Sequence, residues 1–283
     1  MRTDITEITE QVDTGGGIRL FFRDSRVENE RAGVLIVHGV AEHSGRYARL
    51  TQELADIGIR TFAYDHRGHG MSSGKRVHIS RFGEYLDDLE QMIEKSRNAL
   101  PAQKPLFILG HSMGGLIALN YAQNGGAKVD GLIVSSPGLA IAVKPPVIKE
   151  VAVKTISRLF PGLSFDNELD SRLLSHDPEI VEAYNNDPLV HRKITARWAV
   201  EYIHTAEQTC TRPDCIELPV LMQVAGDDRI VSPEASRIFF EGVSSGDKTL
   251  HFYDSLYHEI YNEAEDSRAQ VINDLKTWIN KHV

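Results

Sequence analysis

The sequence predicts an α/β protein built on a mostly parallel sheet. Short apolar runs bounded by turn residues alternate with segments of helical period, several of the runs are apolar almost without interruption, and no internal repeat or low-complexity stretch breaks the rhythm. Strand-like runs lie at 18–22, 33–37, 59–64, 106–109, 132–134, 220–224 and 250–253. Between them, Phe82, Tyr85, Leu86, Leu89, Met92 and Ile93 fall on one helical stripe, and Val271, Leu275, Trp278 and Ile279 repeat it near the end. Both stripes should pack on the sheet. From 138 to 213 no strand-like run is found, and Pro145-Pro146, Pro161-Gly162 and Asp187-Pro188 punctuate what reads as several short helices. Roughly 75 residues is too long for a plain loop. The segment is expected to be a helical insertion, a cap over the carboxyl edge of the sheet, where open α/β sheets bind ligands. The expected division is a core domain of 1–137 and 214–283 with a cap of 138–213.

Composition removes several function classes. A chain of 283 residues is long enough for a sizeable core without disulfides or metals. Lys and Arg number 31 against 40 Asp and Glu, a net charge of −9, and a phosphate-tracking surface needs the opposite balance, so no nucleic-acid partner is expected. No apolar run approaches the roughly 20 residues that span a bilayer. No apolar stretch follows Arg2, so a cleaved leader is not expected. Cys210 and Cys215 leave open a local bridge, but reduced thiols in a cytoplasmic chain are the expectation.

The chemistry is concentrated in Gly110-His111-Ser112-Met113-Gly114-Gly115, which follows the run 106–109 and precedes the helix-like 116–121. This is Gly-x-Ser-x-Gly in a strand–turn–helix setting, the pattern of a nucleophile elbow. The turn is too tight for side chains two positions either side of the serine, and the helix N-terminus beneath it favours developing negative charge. A serine needs a base oriented by a carboxylate, and on this scaffold the chain order is Ser, then Asp or Glu, then His. The acid should follow the strand at 220–224, where Asp227 and Asp228 cannot be separated by spacing. The base should follow the last strand, where His258 stands in a loop; His251 and His282 fall inside a strand and a helix. An oxyanion hole would draw on the backbone N–H of Met113 and on that of Val40, in the loop after 34–37.

Taken together, 38–47 (HGVAEHSGRY), 65–72 (DHRGHGMS) and 110–115, with 184–189 (YNNDPL), 226–231 (GDDRIV) and Tyr257-His258, resemble the monoacylglycerol lipase/lysophospholipase family of α/β-hydrolases, from about residue 15 to the end. The resemblance implies an α/β-hydrolase fold, a mostly parallel central sheet flanked by helices with an inserted helical cap. It implies Asp228 as the triad acid, beside Ser112 and His258, and supports Val40 and Met113 as oxyanion donors. In animal members, groups matching Glu42, Arg46 and Tyr184 hold the glycerol end. A histidine completes that set where this chain has Tyr261, whose hydroxyl can still donate a hydrogen bond. For Glu42 and Arg46 two readings stay open: substrate contact, or an ion pair that holds the oxyanion loop. The family uses the loops carrying His38, His43, His66 and His69 to buttress the elbow, and neither metal nor cofactor is implied.

The reaction expected is two-step acyl transfer on a monoacylglycerol or similar lipid ester, releasing fatty acid and glycerol. A lysophospholipase or general carboxylesterase would use the same triad, and a non-catalytic ligand receptor is the reading of another class. Epoxide hydrolases and haloalkane dehalogenases would want an aspartate at 112, and no amine-binding pocket for a peptidase is recognisable. The apolar first half of the cap, from Leu139 to Phe160, suggests an acyl-chain channel, each buried methylene contributing roughly 0.8 kcal/mol. Lys144, Lys149, Lys154 and Arg158 interleave with it. Transient contact with an anionic membrane surface and plain solvated charge both remain open, for a chain expected in the cytoplasm or peripheral at a membrane.

Overall fold

The computed structural model describes residues 2–126, 128–142 and 147–283. In chain order the elements are β1 (Thr6–Gly15), β2 (Ile18–Arg26), β3 (Ala32–Val37), α1 (Ala48–Ala55), β4 (Ile59–Tyr64), α2 (Gly83–Ala99), β5 (Leu106–His111), α3 (Met113–Gln123) and β6 (Gly131–Ser135). They continue with α4 (Val147–Leu159), β7 (Ser164–Asp166), α5 (Pro178–Asn186), β8 (Lys193–Thr195), α6 (Ala196–Cys210), β9 (Val220–Ala225), α7 (Pro233–Gly242), β10 (Lys248–Tyr253) and α8 (Glu265–Lys281). Eight strands form the central sheet in the order β1-β2-β4-β3-β5-β6-β9-β10. β2 runs antiparallel to both β1 and β4, and every other pairing is parallel.

The continuous apolar runs follow from a sheet covered on both sides. Successive side chains of a strand point to opposite faces. Leu35, Val37 and Ile108 accordingly join one core cluster with Leu89 and Met92 of α2 and Leu116 of α3. Val34, Ile36, Phe107 and Leu109 join the other with Leu50 and Leu54 of α1 and Leu275 and Trp278 of α8. Both helical stripes read from the sequence are buried in these clusters, except Leu86, which is partly buried. β1 escapes the search for apolar runs because it is a polar edge strand. Ladder bonds to β2, from Thr6 opposite Arg26 to Gly15 opposite Ile18, place it.

The insertion between β6 and β9 departs from the all-helical expectation. β7 and β8 pair antiparallel, Ser164 opposite Thr195. Three-residue strands are too short to show alternation, and their partners are far apart in sequence. Thr195 then caps α6, its Oγ1 accepting the Trp198 N–H at 3.3 Å. Trp198, Ala199 and Tyr202 of α6 pack into the cluster that holds α3, so the insertion sits over the elbow helix. Val143, Lys144 and Pro145-Pro146 lie outside the described residues. Cys210 and Cys215 are free thiols.

Leu275 is fully buried, whereas Ile8 is 39% exposed. Leu275→Ala should lower unfolding free energy by about 2–5 kcal/mol and Ile8→Ala by no more than about 0.5 kcal/mol in urea titrations. Equal losses would contradict this placement of the core.

Candidate active site

β5 delivers Ser112 to the carboxyl edge of the sheet and α3 begins on the next residue. Ser112 has φ +53°, a left-handed backbone that L-residues rarely adopt. Neighbouring glycines make it feasible. A Cβ at Gly110 would sit 2.4 Å from Gly114 O, and one at Gly114 1.9 Å from Val37 O. Both approaches are to backbone, so neither can be relieved by a side-chain rotation. Met113, the first residue of α3, has no intrahelical acceptor for its N–H.

His258 and Asp228 stand in the loops after β10 and β9. His258 Nδ1–H donates to Asp228 Oδ2 at 2.6 Å, and both groups are buried. Asp228 Oδ1 accepts the N–H groups of Ile230 (2.8 Å) and Val231 (3.0 Å), which fixes the carboxylate plane. Asp227 instead faces solvent and pairs with Arg229 at 3.0 Å, so the choice left open by spacing falls to Asp228. Burial works against the imidazolium of His258, but the charge and hydrogen bond of Asp228, helped by Glu259 and Glu42, outweigh it and raise the pKa above the ordinary 6.5. Nε2 is then the ring nitrogen that Asp228 leaves unengaged. His111, adjacent to Ser112 in the chain, tilts its ring against that of His258, centroids 4.7 Å apart. Among the described residues no hydrogen bond joins Ser112 Oγ to His258.

Val40 reaches the site from the loop after β3. No hydrogen bond among the described residues engages its N–H. Ala41 beside it has φ +63°. That loop is held from below by Glu42, whose Oε1 accepts from Gly39 N–H at 2.6 Å and Tyr47 Oη–H at 2.8 Å. Arg46 donates to Glu42 Oε2 (3.1 Å) and in a two-point contact to Glu259 (2.5 and 2.7 Å). Tyr184 of α5 lies 4.9 Å beneath the guanidinium. Burial pushes both carboxyls up. The direct contact with Arg46 brings Glu259 below its ordinary value, while Glu42, facing the charge of Glu259, stays above.

The structure thus brings Ser112, Asp228, His258, Val40 and Met113 to one edge, and gathers Glu42, Arg46 and Tyr184 in a buried cluster beside it. Of the two readings for Glu42 and Arg46, the geometry matches the ion pair that holds the oxyanion loop. Tyr261 does not join them. Its hydroxyl donates to Gln223 Oε1 on β9 at 2.6 Å, among the side chains packed against α8, which corrects its assignment to the glycerol end. Glu259 and His111 were not singled out by sequence reasoning. His111 stood in view as the variable position of the elbow motif, whereas the partner of Glu259 lies 213 residues away and no local pattern marks it.

The histidines of the neighbouring loops are wired to backbone. His38 Nδ1–H donates to Gly39 O (2.7 Å) while Nε2 accepts the His66 N–H (2.9 Å), and His66 Nε2–H donates to His38 O (3.0 Å). His43 Nε2–H reaches Asp187 of the insertion at 2.9 Å. Among the described residues no group of three or more His, Cys, Asp or Glu side chains could hold a metal ion.

Ser112 and Val40 open into a cavity of about 970 Å³ beneath the insertion. Its lining includes Ile141, Val153, Phe165, Trp198, Tyr202 and Ile203, with Lys154 and Arg158 also contributing. The apolar first half of the insertion is split. Val153 faces inward, whereas Ile148, Val151, Leu159 and Phe160 are exposed. The side chain of Lys149 lies outside the described residues.

A family model described as serine aminopeptidase, S33, matches residues 28–265. The monoacylglycerol lipase of Mycolicibacterium smegmatis is 35% identical over 271 residues, 95% of each chain. Phospholipase YtpA of Bacillus subtilis is 32% identical over 254 residues, 89% of this chain and 96% of the relative. The crystal structure of Paleococcus ferrophilus monoacylglycerol lipase superposes with a TM-score of 0.83 at 33% identity, covering 99% of this chain and 100% of that one. The architecture shared with it is the α/β-hydrolase fold.

Burial pushes His66 and His111 down to about 3 and His69 to about 4, and holds His38 well below its ordinary value. As pH falls below 6.5 the unfolded chain takes up protons that these folded-state imidazoles refuse. Stability is therefore complete above 6.5 and declines until pH reaches the depressed values, by up to about 1.4 kcal/mol per unit for each histidine. His258, with its raised pKa, acts in the opposite sense, one group against four. The urea midpoint should be level near pH 7.5 and fall steeply between 6.5 and 4. A level midpoint down to pH 4.5 would contradict the buried neutral histidines.

Proposed function

The chain belongs to the serine aminopeptidase S33 family and is a lipase-type carboxylic-ester hydrolase of the α/β-hydrolase fold; from that premise we propose that it cleaves monoacylglycerols to fatty acid and glycerol through an acyl-enzyme on Ser112. The observation that carries the reading is Ser112 in the lining of a largely apolar cavity of about 970 Å³, with the hydrogen-bonded pair of His258 and Asp228 on the same edge of the sheet. A fatty-acyl chain fits a space of that size and lining. The relatives named for monoacylglycerol and phospholipid cleavage support an acyl-glycerol ester as substrate.

Neutral His258 takes the Ser112 proton through Nε2 as the oxygen attacks the ester carbonyl. The carbonyl oxygen, now negative, moves between the N–H groups of Val40 and Met113. Asp228 keeps the proton on Nδ1 and stabilises the imidazolium that forms. The imidazolium then protonates the departing glycerol oxygen. Water, deprotonated by the same nitrogen, attacks the acyl-enzyme and frees the fatty acid and Ser112.

The exposed side chains of Ile148, Val151, Leu159, Phe160 and Leu163 gather on and after α4, with Lys154 and Arg158 near them. No helix of the described residues is long and apolar enough to cross a membrane. This face supports transient contact with an anionic lipid surface, the route by which a lipid ester would enter the cavity. Sedimentation with phosphatidylglycerol vesicles should capture the protein at low salt and release it at high salt, with Phe160→Asp weakening capture. Equal recovery in the supernatant with and without vesicles would remove the membrane contact.

Ser112→Ala and Asp228→Asn should each lower kcat on monooleoylglycerol by about 10³-fold or more, with both proteins folded. Because His258 must be neutral and its pKa lies above 6.5, kcat/KM should fall as pH drops through a value above 6.5. A Ser112→Ala protein with wild-type turnover would end the proposal. A lysophosphatidylcholine turned over much faster than monooleoylglycerol would transfer the substrate to the phospholipid class.

A further inference from the structure

We infer that Glu259 is a positioning residue for acyl transfer: through Arg46 and Glu42 it locks the loop that carries Val40 to the loop that carries His258. The inference rests on the acyl-enzyme reading of Ser112. Its basis is an unbroken chain of charged contacts. Glu259 accepts two bonds from Arg46 at 2.5 and 2.7 Å. Arg46 donates to Glu42 Oε2 at 3.1 Å, and Glu42 Oε1 accepts the Gly39 N–H at 2.6 Å. Gly39 directly precedes Val40, so the last bond in the chain orients the peptide that leads to the oxyanion donor. The neighbouring Ala41 is held at φ +63°, a conformation that relaxes unless its surroundings impose it.

The three side chains are 5, 9 and 4% exposed for Glu259, Arg46 and Glu42, and none lines the cavity at Ser112. Their chemistry is therefore spent on one another and on backbone. At Gly39 there is no slack: a Cβ there would lie 2.8 Å from Glu42 Oε1 and 3.2 Å from Ser112 Cβ. The other end of the chain is equally fixed. Glu259 N–H donates to Leu174 O at 2.8 Å and Asn262 Nδ2 donates to Glu259 Oε2 at 3.0 Å, so the residue after the catalytic base is tied to the insertion as well as to Arg46. Two carboxylates on one guanidinium also leave negative charge beside the base. The charged and titratable groups around His258 are Asp228 from the loop after β9, His111 from β5, Glu42 and Arg46 from the oxyanion loop, and Glu259 itself. Asp228, Glu259 and Glu42 each favour the imidazolium.

A residue that merely filled space here would leave kinetics alone once the protein folded, and one that touched substrate would change KM. A positioning residue changes kcat and the pH profile. The test compares wild type, E259Q, E259D and the double variant R46M/E259Q, all as the full chain. It measures kcat and KM on p-nitrophenyl butyrate from pH 5 to 9, with the rate of Ser112 labelling by a fluorophosphonate. E259Q should lose about 10- to 100-fold in kcat with KM within about threefold. Its acid limb should move about half a unit or more to lower pH, because a charge that favours the imidazolium is gone. E259D should recover part of both effects. If E259Q does not fold, the double variant, which leaves no unpaired buried cation, carries the kcat expectation alone, because loss of the Arg46 charge offsets loss of the Glu259 charge at His258. Wild-type kcat and an unmoved acid limb in a folded E259Q, or wild-type kcat in a folded double variant, would overturn the inference, as would a raised KM at unchanged kcat. Failure of the wild type itself to label at Ser112 would instead strike down the acyl-enzyme reading on which the inference stands.

Discussion

The structure depends on one strained backbone position. Ser112 sits at φ +53° between the end of β5 and the start of α3, a conformation that costs of order 1–3 kcal/mol and survives only where its surroundings enforce it. The enforcement is steric and local. Gly110, Gly114 and the carbonyl of Val37 approach so closely that no side chain could stand at either glycine. The parallel ladder that sets Val37 opposite Gly110 brings those atoms together, and it also delivers the loop after β3 beside the serine. Sheet register, elbow strain and the place of Val40 are thus one constraint seen at three scales.

Around the elbow the polar groups divide by accessibility. Ser112 and Val40 meet the cavity, while Glu42 and Glu259 lie buried behind the loops and the Arg46 side chain between them is 9% exposed. Buried ions are costly unless they satisfy one another, and here each carboxylate oxygen finds a guanidinium, a backbone N–H, a tyrosine hydroxyl or an amide. Burial holds His38, His66, His69 and His111 below their ordinary value, whereas His258, with Asp228 in direct contact, is raised. That contrast sets the proton affinity of one imidazole apart from those of its four neighbours.

Much of this was legible in the sequence because the signals are local. Gly-x-Ser-x-Gly between a strand and a helix, acids after β9 and a histidine after β10 each depend on a few adjacent residues. The central strands announce themselves because both their faces are covered. What was not legible is non-local or weakly patterned. β1 is polar and held by ladder bonds, and β7 and β8 are three residues each. Spacing could not separate Asp227 from Asp228, since the distinction is which carboxylate turns inward to His258. Tyr261 occupies a position that suggested substrate contact, yet its hydroxyl turns to Gln223, a partner that only the packing of β9 supplies. Glu259 stood beside the predicted base without any mark of its role, because Arg46 meets it only in the folded chain.

The insertion completes the site by closing the cavity over Ser112, with Trp198 and Tyr202 of α6 packed on the elbow side and Val153 of α4 facing in. The most direct test of the whole account is a crystal structure of the protein inactivated with a long-chain alkyl phosphonate. The account predicts a covalent bond from Ser112 Oγ to phosphorus, the phosphoryl oxygen within about 3.1 Å of the N–H groups of Val40 and Met113, and the alkyl chain running between α4 and α6. Phosphorus on any other residue, or a phosphoryl oxygen turned away from both amides, would contradict it.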